Sequence, residues 1–145
     1  MKTARQILEE FTASSFRDPK KAAEMFAENG AFEMPYLDSV GFPWRYEGRE
    51  KVEAFFKFVR DLYSDMDLHD VKVVCETPDV VVGEYEFTAN SSKTGRVIHQ
   101  LFVGRLEAEN GQIELLRESI NLVELGLAIY RNGLADYNPP AERQI

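Results

Sequence analysis

The stretch from Arg96 to Val123 constrains this chain more than any other. It reads R-V-I-H-Q-L-F-V-G-R-L-E-A-E-N-G-Q-I-E-L-L-R-E-S-I-N-L-V, two long β-type runs on either side of Asn110-Gly111. Both turn residues tolerate positive φ, so the dipeptide predicts a tight hairpin. The first arm is rich in Val, Ile, Leu and Phe, and the second carries Ile113, Leu115, Leu116 and Ile120. One ionisable group interrupts the second arm. Period-two alternation places Glu118 on the face of Leu116 and Ile120. A carboxylate is costly to bury without a partner, which makes Glu118 the leading functional candidate.

Before the hairpin the sequence alternates helix and strand signals. Ala4, Ile7, Leu8 and Phe11 lie at helical spacing and predict a helix from Ala4 to Ser15. Asp18 is placed to cap a second helix with Pro19 at its first position, running Lys20 to Glu28 and stopped by Asn29-Gly30. A strand is expected from Ala31 to Leu37, with Pro35 marking an edge or bulge. An apolar loop, Asp38 to Glu47, carries Trp44 and Tyr46 and is expected to fold back over a pocket mouth. A third helix, Arg49 to Tyr63, has a broad face of Val52, Phe55, Phe56, Val59, Leu62 and Tyr63. Strands follow at Leu68 to Glu76 and Val80 to Asn90. Asn121 is placed to cap a short helix, Leu122 to Tyr130, and the tail from about residue 132, with Gly133, Pro139 and Pro140, reads as irregular.

Helices early and strands late signal an α+β fold. The expectation is one domain over residues 1–145. A curved antiparallel or mixed sheet would wrap around three N-terminal helices as a cystatin-like cone, with a pocket between sheet and helices. A chain of 145 residues, 44% hydrophobic and 29% charged, can bury a sizeable core. Its net charge of −8 disfavours nucleic acid and anionic membrane surfaces as partners. No apolar signal core opens the chain and no run is long enough to span a bilayer. The single cysteine, Cys75, excludes an internal disulfide and suits a reducing cytoplasm, the expected location. His69 and His99 lack metal-ligand spacing; scattered carboxylates leave a metal site open without a positive signal for one, and neither a metal nor a cofactor is expected.

Three stretches, Ala27-Glu28-Asn29-Gly30-Ala31-Phe32, Tyr46-Glu47-Gly48-Arg49-Glu50-Lys51-Val52 and Glu109-Asn110-Gly111-Gln112-Ile113, occur in an order and spacing that resembles the nuclear transport factor two superfamily. Within it the chain looks most like the SnoaL-like group, and most of all like the phenazine-biosynthesis A/B proteins. Gly48-Arg49-Glu50-Lys51 and Leu116-Arg117-Glu118, with Asn121 following, carry that likeness. The resemblance implies a cone fold and a cavity glutamate, at Glu118, that assists acid/base chemistry. It also implies a histidine in the third helix, where this chain has Phe55. The proton-exchanging positions of steroid isomerases fall on Phe11, Met34 and Val103, none of which can exchange a proton, so steroid-isomerase chemistry is rejected.

Two side chains are candidate catalytic groups. Glu118, desolvated in an apolar cone, would have a raised pKa and act near neutral pH; the competing reading is an ion pair with Arg117, Arg105 or Arg96, or a place in a dimer interface. His99 shares its alternation phase with Val97, Leu101 and Val103 and is read either as a proton shuttle or as a packed residue with one satisfied hydrogen bond. His69 is expected to be solvated. Tyr36, Asp38 and Trp44 are expected at the cone mouth, with core packing as the alternative. Phe55, Val59, Tyr63, Leu101, Val103, Leu116 and Ile120 complete the expected pocket lining. Glu84 and Glu86 are assigned to a solvated or interface face. The functional expectation is a small cofactor-independent isomerase, cyclase or dehydratase acting on an apolar or aromatic metabolite. The alternative is a non-catalytic ligand-binding or assembly domain. A homodimer is expected in either case, with Val81, Phe87, Phe102 and Leu115 on the second sheet face.

Overall fold

The computed structural model describes residues 1–14 and 16–139. In chain order the elements are α1 (Ala4–Ser14), α2 (Pro19–Glu24), β1 (Phe26–Glu33), a 3-10 segment (Pro35–Val40), β2 (Arg45–Glu47) and α3 (Arg49–Leu62). Then come β3 (Tyr63–Glu76), β4 (Val80–Ser91), β5 (Val97–Glu109), β6 (Gln112–Ser119), α4 (Leu122–Ile129) and a second 3-10 turn (Gly133–Asp136). The expected positions Ser15 and Pro140 lie outside the described residues.

Local chemistry explains several of these boundaries. Ile7, Leu8 and Phe11 form the buried stripe of α1. The Asp18 carboxylate accepts from the amides of Lys20 and Lys21 and Pro19 opens α2. Asn121 does the same for α4 through the amides of Val123 and Glu124. At the hairpin, Asn110 and Gly111 have φ of 52° and 77°, as a two-residue turn of this hand requires.

All the expected helices form, but α2 is shorter than the sequence suggested. Asn29-Gly30 does not stop a helix; it lies inside β1. A side chain on Gly30 would come within 2.4 Å of the Ile113 carbonyl, so glycine serves close strand approach there. The amide of Ile113 donates to the Met25 carbonyl, and this pairing draws the chain into the sheet at Phe26 rather than Ala31. Pro35 does not interrupt a strand either, because it opens the 3-10 segment after β1 has ended. The tail expected to be irregular contains the Gly133–Asp136 turn.

The fold is α+β. Six strands form one mixed sheet in the order β2-β1-β6-β5-β4-β3. β3 to β6 are the expected meander, and β1 joins β6 in parallel. The helices pack on the concave face, with α1 against β3, β4, β5 and β6, and α3 against β1, β2 and β3. The two sheet faces carry different side chains from those expected. Val81, Phe87 and Phe102 belong to the core rather than the outer face, and Leu115 is half-buried. The exposed apolar residues of β5 are instead Val97, Leu101 and Val103. Among the described residues no helix is long and apolar enough to cross a membrane.

Candidate functional site

The concave face encloses a cavity of about 60 Å³. Phe11 from α1, Phe32 from β1, and Phe55, Phe56, Phe58, Val59 and Leu62 from α3 form much of its wall. Met34, Leu37 and Phe42 enter from the segment after β1, and Leu125 and Ile129 from α4. The sheet contributes Phe87, Gln100, Phe102 and Glu118. Phe87 and Phe102 lie nearly parallel, with ring centres 5.3 Å apart and planes at 14°. The lining is apolar except for one carboxyl, one amide and the phenol of Tyr63. Among the described residues it holds a single carboxylate and no histidine or cysteine, which is not a ligand set for a metal.

Glu118 is 3% exposed. The Tyr85 hydroxyl donates to its Oε2 at 2.5 Å, and among the described residues Glu118 has no cationic partner. The three arginines that could have claimed it are engaged elsewhere. Arg117 pairs with Glu33, and Arg105 with Glu107. Arg96 donates to the carbonyls of Leu127 and Tyr130 at the end of α4. Burial pushes the Glu118 carboxyl up to about 7, against a smaller downward pull from the Tyr85 hydrogen bond. Burial, the Glu118 charge and that same bond hold the Tyr85 phenol well above its ordinary value, so the phenol stays a donor.

One glycine makes room for this pair, and the glycine facing it makes room for α1. Gly104 of β5 stands across from Glu118 on β6 and across from Gly83 on β4. A Cβ at Gly104 would fall 2.2 Å from the Tyr85 hydroxyl oxygen, so the phenol occupies the space that any other residue would fill. A Cβ at Gly83 would come 3.1 Å from Leu8 of α1.

Gln100 is the second polar group, 3% exposed. Its Oε1 accepts from the amide of Asn121 at 2.9 Å. That bond fixes the orientation of the side-chain amide and leaves the NH₂ end as the available donor. Tyr63 also lines the cavity, and burial, then the charge of Glu124, raises its phenol pKa.

Of the residues expected at the site, Glu118, Phe55, Val59, Tyr63 and Ile120 come together around the cavity. Leu116 faces inward and is fully buried but lies outside the lining. His99, Leu101 and Val103 do not reach it. β5 alternates exposed and buried from Val97, and these three point to the outer face. The inward phase belongs to Ile98, Gln100, Phe102 and Leu106. Both phases of β5 are apolar, so alternation alone does not choose between them. His99 Nε2 sits 3.4 Å from Glu86 on the outer face.

Tyr36, Asp38 and Trp44 also fall outside the lining. The three-residue period of the 3-10 segment turns Leu37 and Val40 inward and leaves Tyr36 and Asp38 exposed. Trp44 is partly exposed, and its carbonyl accepts from the Met34 amide. Tyr85 and Gln100 were missed by sequence reasoning. The available signal was the phase of β4, in which Tyr85 alternates in step with Val81, Phe87 and Ala89. Phe55, where the phenazine-biosynthesis likeness implies a histidine, stacks on Tyr46 at 4.3 Å.

Comparison with known proteins agrees with this architecture. The chain is 27% identical over 109 residues to the uncharacterised protein YesE of Bacillus subtilis, covering 72% of this chain and 71% of YesE. A phenazine biosynthesis-related protein of Pseudomonas aeruginosa superposes with a TM-score of 0.75 at 17% identity, covering 97% of this chain and 90% of its own. A protein with a ketosteroid isomerase-like fold from Catenulispora acidiphila, solved in complex with trimethylamine, superposes with a TM-score of 0.77 at 14% identity, covering 94% and 100%. These structural likenesses establish the shared cone fold. Residues 5–115 match the SnoaL-like domain, and the chain belongs to that family.

Proposed function

We propose that the protein binds a small, uncharged, largely apolar molecule in the cone and assists proton transfer on it through Glu118. The observation carrying this reading is a carboxyl that is buried at a cavity wall, held by one tyrosine and, among the described residues, paired with no arginine. With a pKa of about 7 it is divided between acid and base at neutral pH, the condition for effective general acid or base catalysis. Gln100 offers a hydrogen-bond donor on the same lining, suited to a carbonyl or developing oxyanion. Isomerisation, cyclisation, dehydration and imine condensation need only these two functions. Phe55, Met34 and Phe11 supply shape and no proton.

The enclosed space is small for a metabolite of several rings, so such a ligand requires part of the wall to move. Phe42 and Phe58, with ring centres 6.1 Å apart, form the part nearest solvent, since Phe58 is 46% exposed. The exposed Val97, Leu101 and Val103 on the outer face support a homodimer, which sedimentation equilibrium tests directly. A cytoplasmic setting is part of the same proposal, and the free Cys75 supports it.

A thermal-shift screen of aromatic and polyketide-like ketones identifies ligands by the rise in melting point that native-state binding produces. Turnover of a bound compound by the wild type, reduced about a hundredfold or more in Glu118→Gln, is the expected result. Binding without turnover, or turnover unchanged in that variant, favours the rival reading of a non-catalytic binding domain.

A further inference from the structure

A second cluster of chemistry-bearing side chains lies on the outer sheet face, away from the cavity. His69 on β3 stands directly across from Glu86 on β4. In a regular strand Asp70 would point to the opposite side from His69. Here β3 carries a register shift between His69 and Lys72, and Asp70 has φ of 53°. The irregularity turns two successive side chains to the same side. Asp70 Oδ2 therefore lies 2.8 Å from His69 Nδ1, and Glu86 Oε2 lies 3.7 Å from that nitrogen. One donor atom from each of the three residues falls within 4.8 Å of the others. From β5, His99 Nε2 approaches the other oxygen of Glu86 at 3.4 Å.

We propose that His69, Asp70 and Glu86, with His99 as a fourth group, form a surface site for a divalent transition-metal cation of the zinc class. Ligands in a tetrahedral zinc shell stand about 3.3 Å from one another, so His69, Asp70 and Glu86, already within 4.8 Å of one another, close on an ion by side-chain adjustment, and His99 joins through its approach to Glu86. Two imidazoles with two carboxylates suit zinc, cobalt or nickel better than magnesium or calcium, which take oxygen ligands. The pair of carboxylates supplies two negative charges to offset the ion. An outer-shell contact is also in place. Thr88 Oγ1 lies 3.4 Å from His69 Nε2, so a metal at Nδ1 leaves the Nε2 proton facing a hydroxyl that accepts it. Sequence spacing conceals the set because its members come from three strands and are united only by sheet register.

Isothermal titration of the full chain with zinc chloride tests the site directly. The expected result is one ion per chain, with binding weakened at least about tenfold in His69→Asn and in Glu86→Gln, since even outer-shell changes have effects of that size. A smaller loss is expected for His99→Gln. All three side chains sit at the surface, and unchanged melting of the metal-free variants confirms that each is folded. Magnesium in excess should not displace zinc. The proposal is overturned by the absence of saturable zinc binding, by wild-type affinity in both His69→Asn and Glu86→Gln, or by displacement by magnesium.

Discussion

The Tyr85 hydroxyl reaches the Glu118 carboxyl only across the bare backbone of Gly104, where a Cβ would lie 2.2 Å from the phenolic oxygen and 2.9 Å from two ring carbons. Gly104→Ala therefore forces the tyrosine aside in a tightly packed interior. The expected cost is about 1–3 kcal/mol of stability, the usual range for overpacking a core, with loss of the Tyr85–Glu118 bond. Urea unfolding measures the first, and a change in the near-ultraviolet tyrosine signal reports the second.

Tyr85→Phe keeps the ring and removes the donor. The hydrogen bond favours the ionised carboxylate, so its loss moves the Glu118 pKa upward from about 7. Infrared difference titration of the carboxyl band follows the change. A downward shift would mean that the hydroxyl does not stabilise the charged form.

Stability should depend on pH through Glu118 in a definite direction. Below about pH 4.5 the carboxyl is protonated in both the folded and unfolded chain and contributes no difference. Between about 4.5 and about 7 the unfolded chain ionises while the folded chain retains its proton, so stability falls as pH rises. Above that window the loss is constant at about 3 kcal/mol, from the usual conversion of a pKa difference. Glu118→Gln removes this component. The stability of the variant relative to wild type should therefore increase from pH 4.5 to pH 7 and then level off, as denaturant titrations across pH will show.

Arg96 holds the C-terminal end of α4 through the carbonyls of Leu127 and Tyr130, at 3.0 and 2.9 Å. α4 in turn sets Leu125 and Ile129 against the cavity. Arg96→Ala is expected to cost about 2 kcal/mol, as charge-assisted bonds of this kind do. Amide exchange should speed up most in α4, while the β4–β5 ladder remains protected.

Much of this architecture could be read from short-range chemistry. The Asn110-Gly111 turn, the Asp18 and Asn121 caps and the apolar face of α3 are local signals, and each was legible. Glu118 was found because the inward phase of β6 is otherwise apolar. β5 misled because Val97, Leu101 and Val103 imitate a core phase as well as Ile98, Phe102 and Leu106 do. The parallel β1–β6 pairing was hidden for a different reason. It joins segments far apart in sequence and overrides the helix-stop signal of Asn29-Gly30. Tyr85 and Gln100 were invisible as a set because their roles depend on what lies across the strand from them.

The facing Gly83 and Gly104 also bear on how this scaffold can diversify. Side chains cannot grow there without striking α1 or the phenol, so the sheet beside the Tyr85–Glu118 bond is sterically fixed. The cavity can then be reshaped at Phe42, Phe58 or Val59, where bulk can change away from the Tyr85–Glu118 bond.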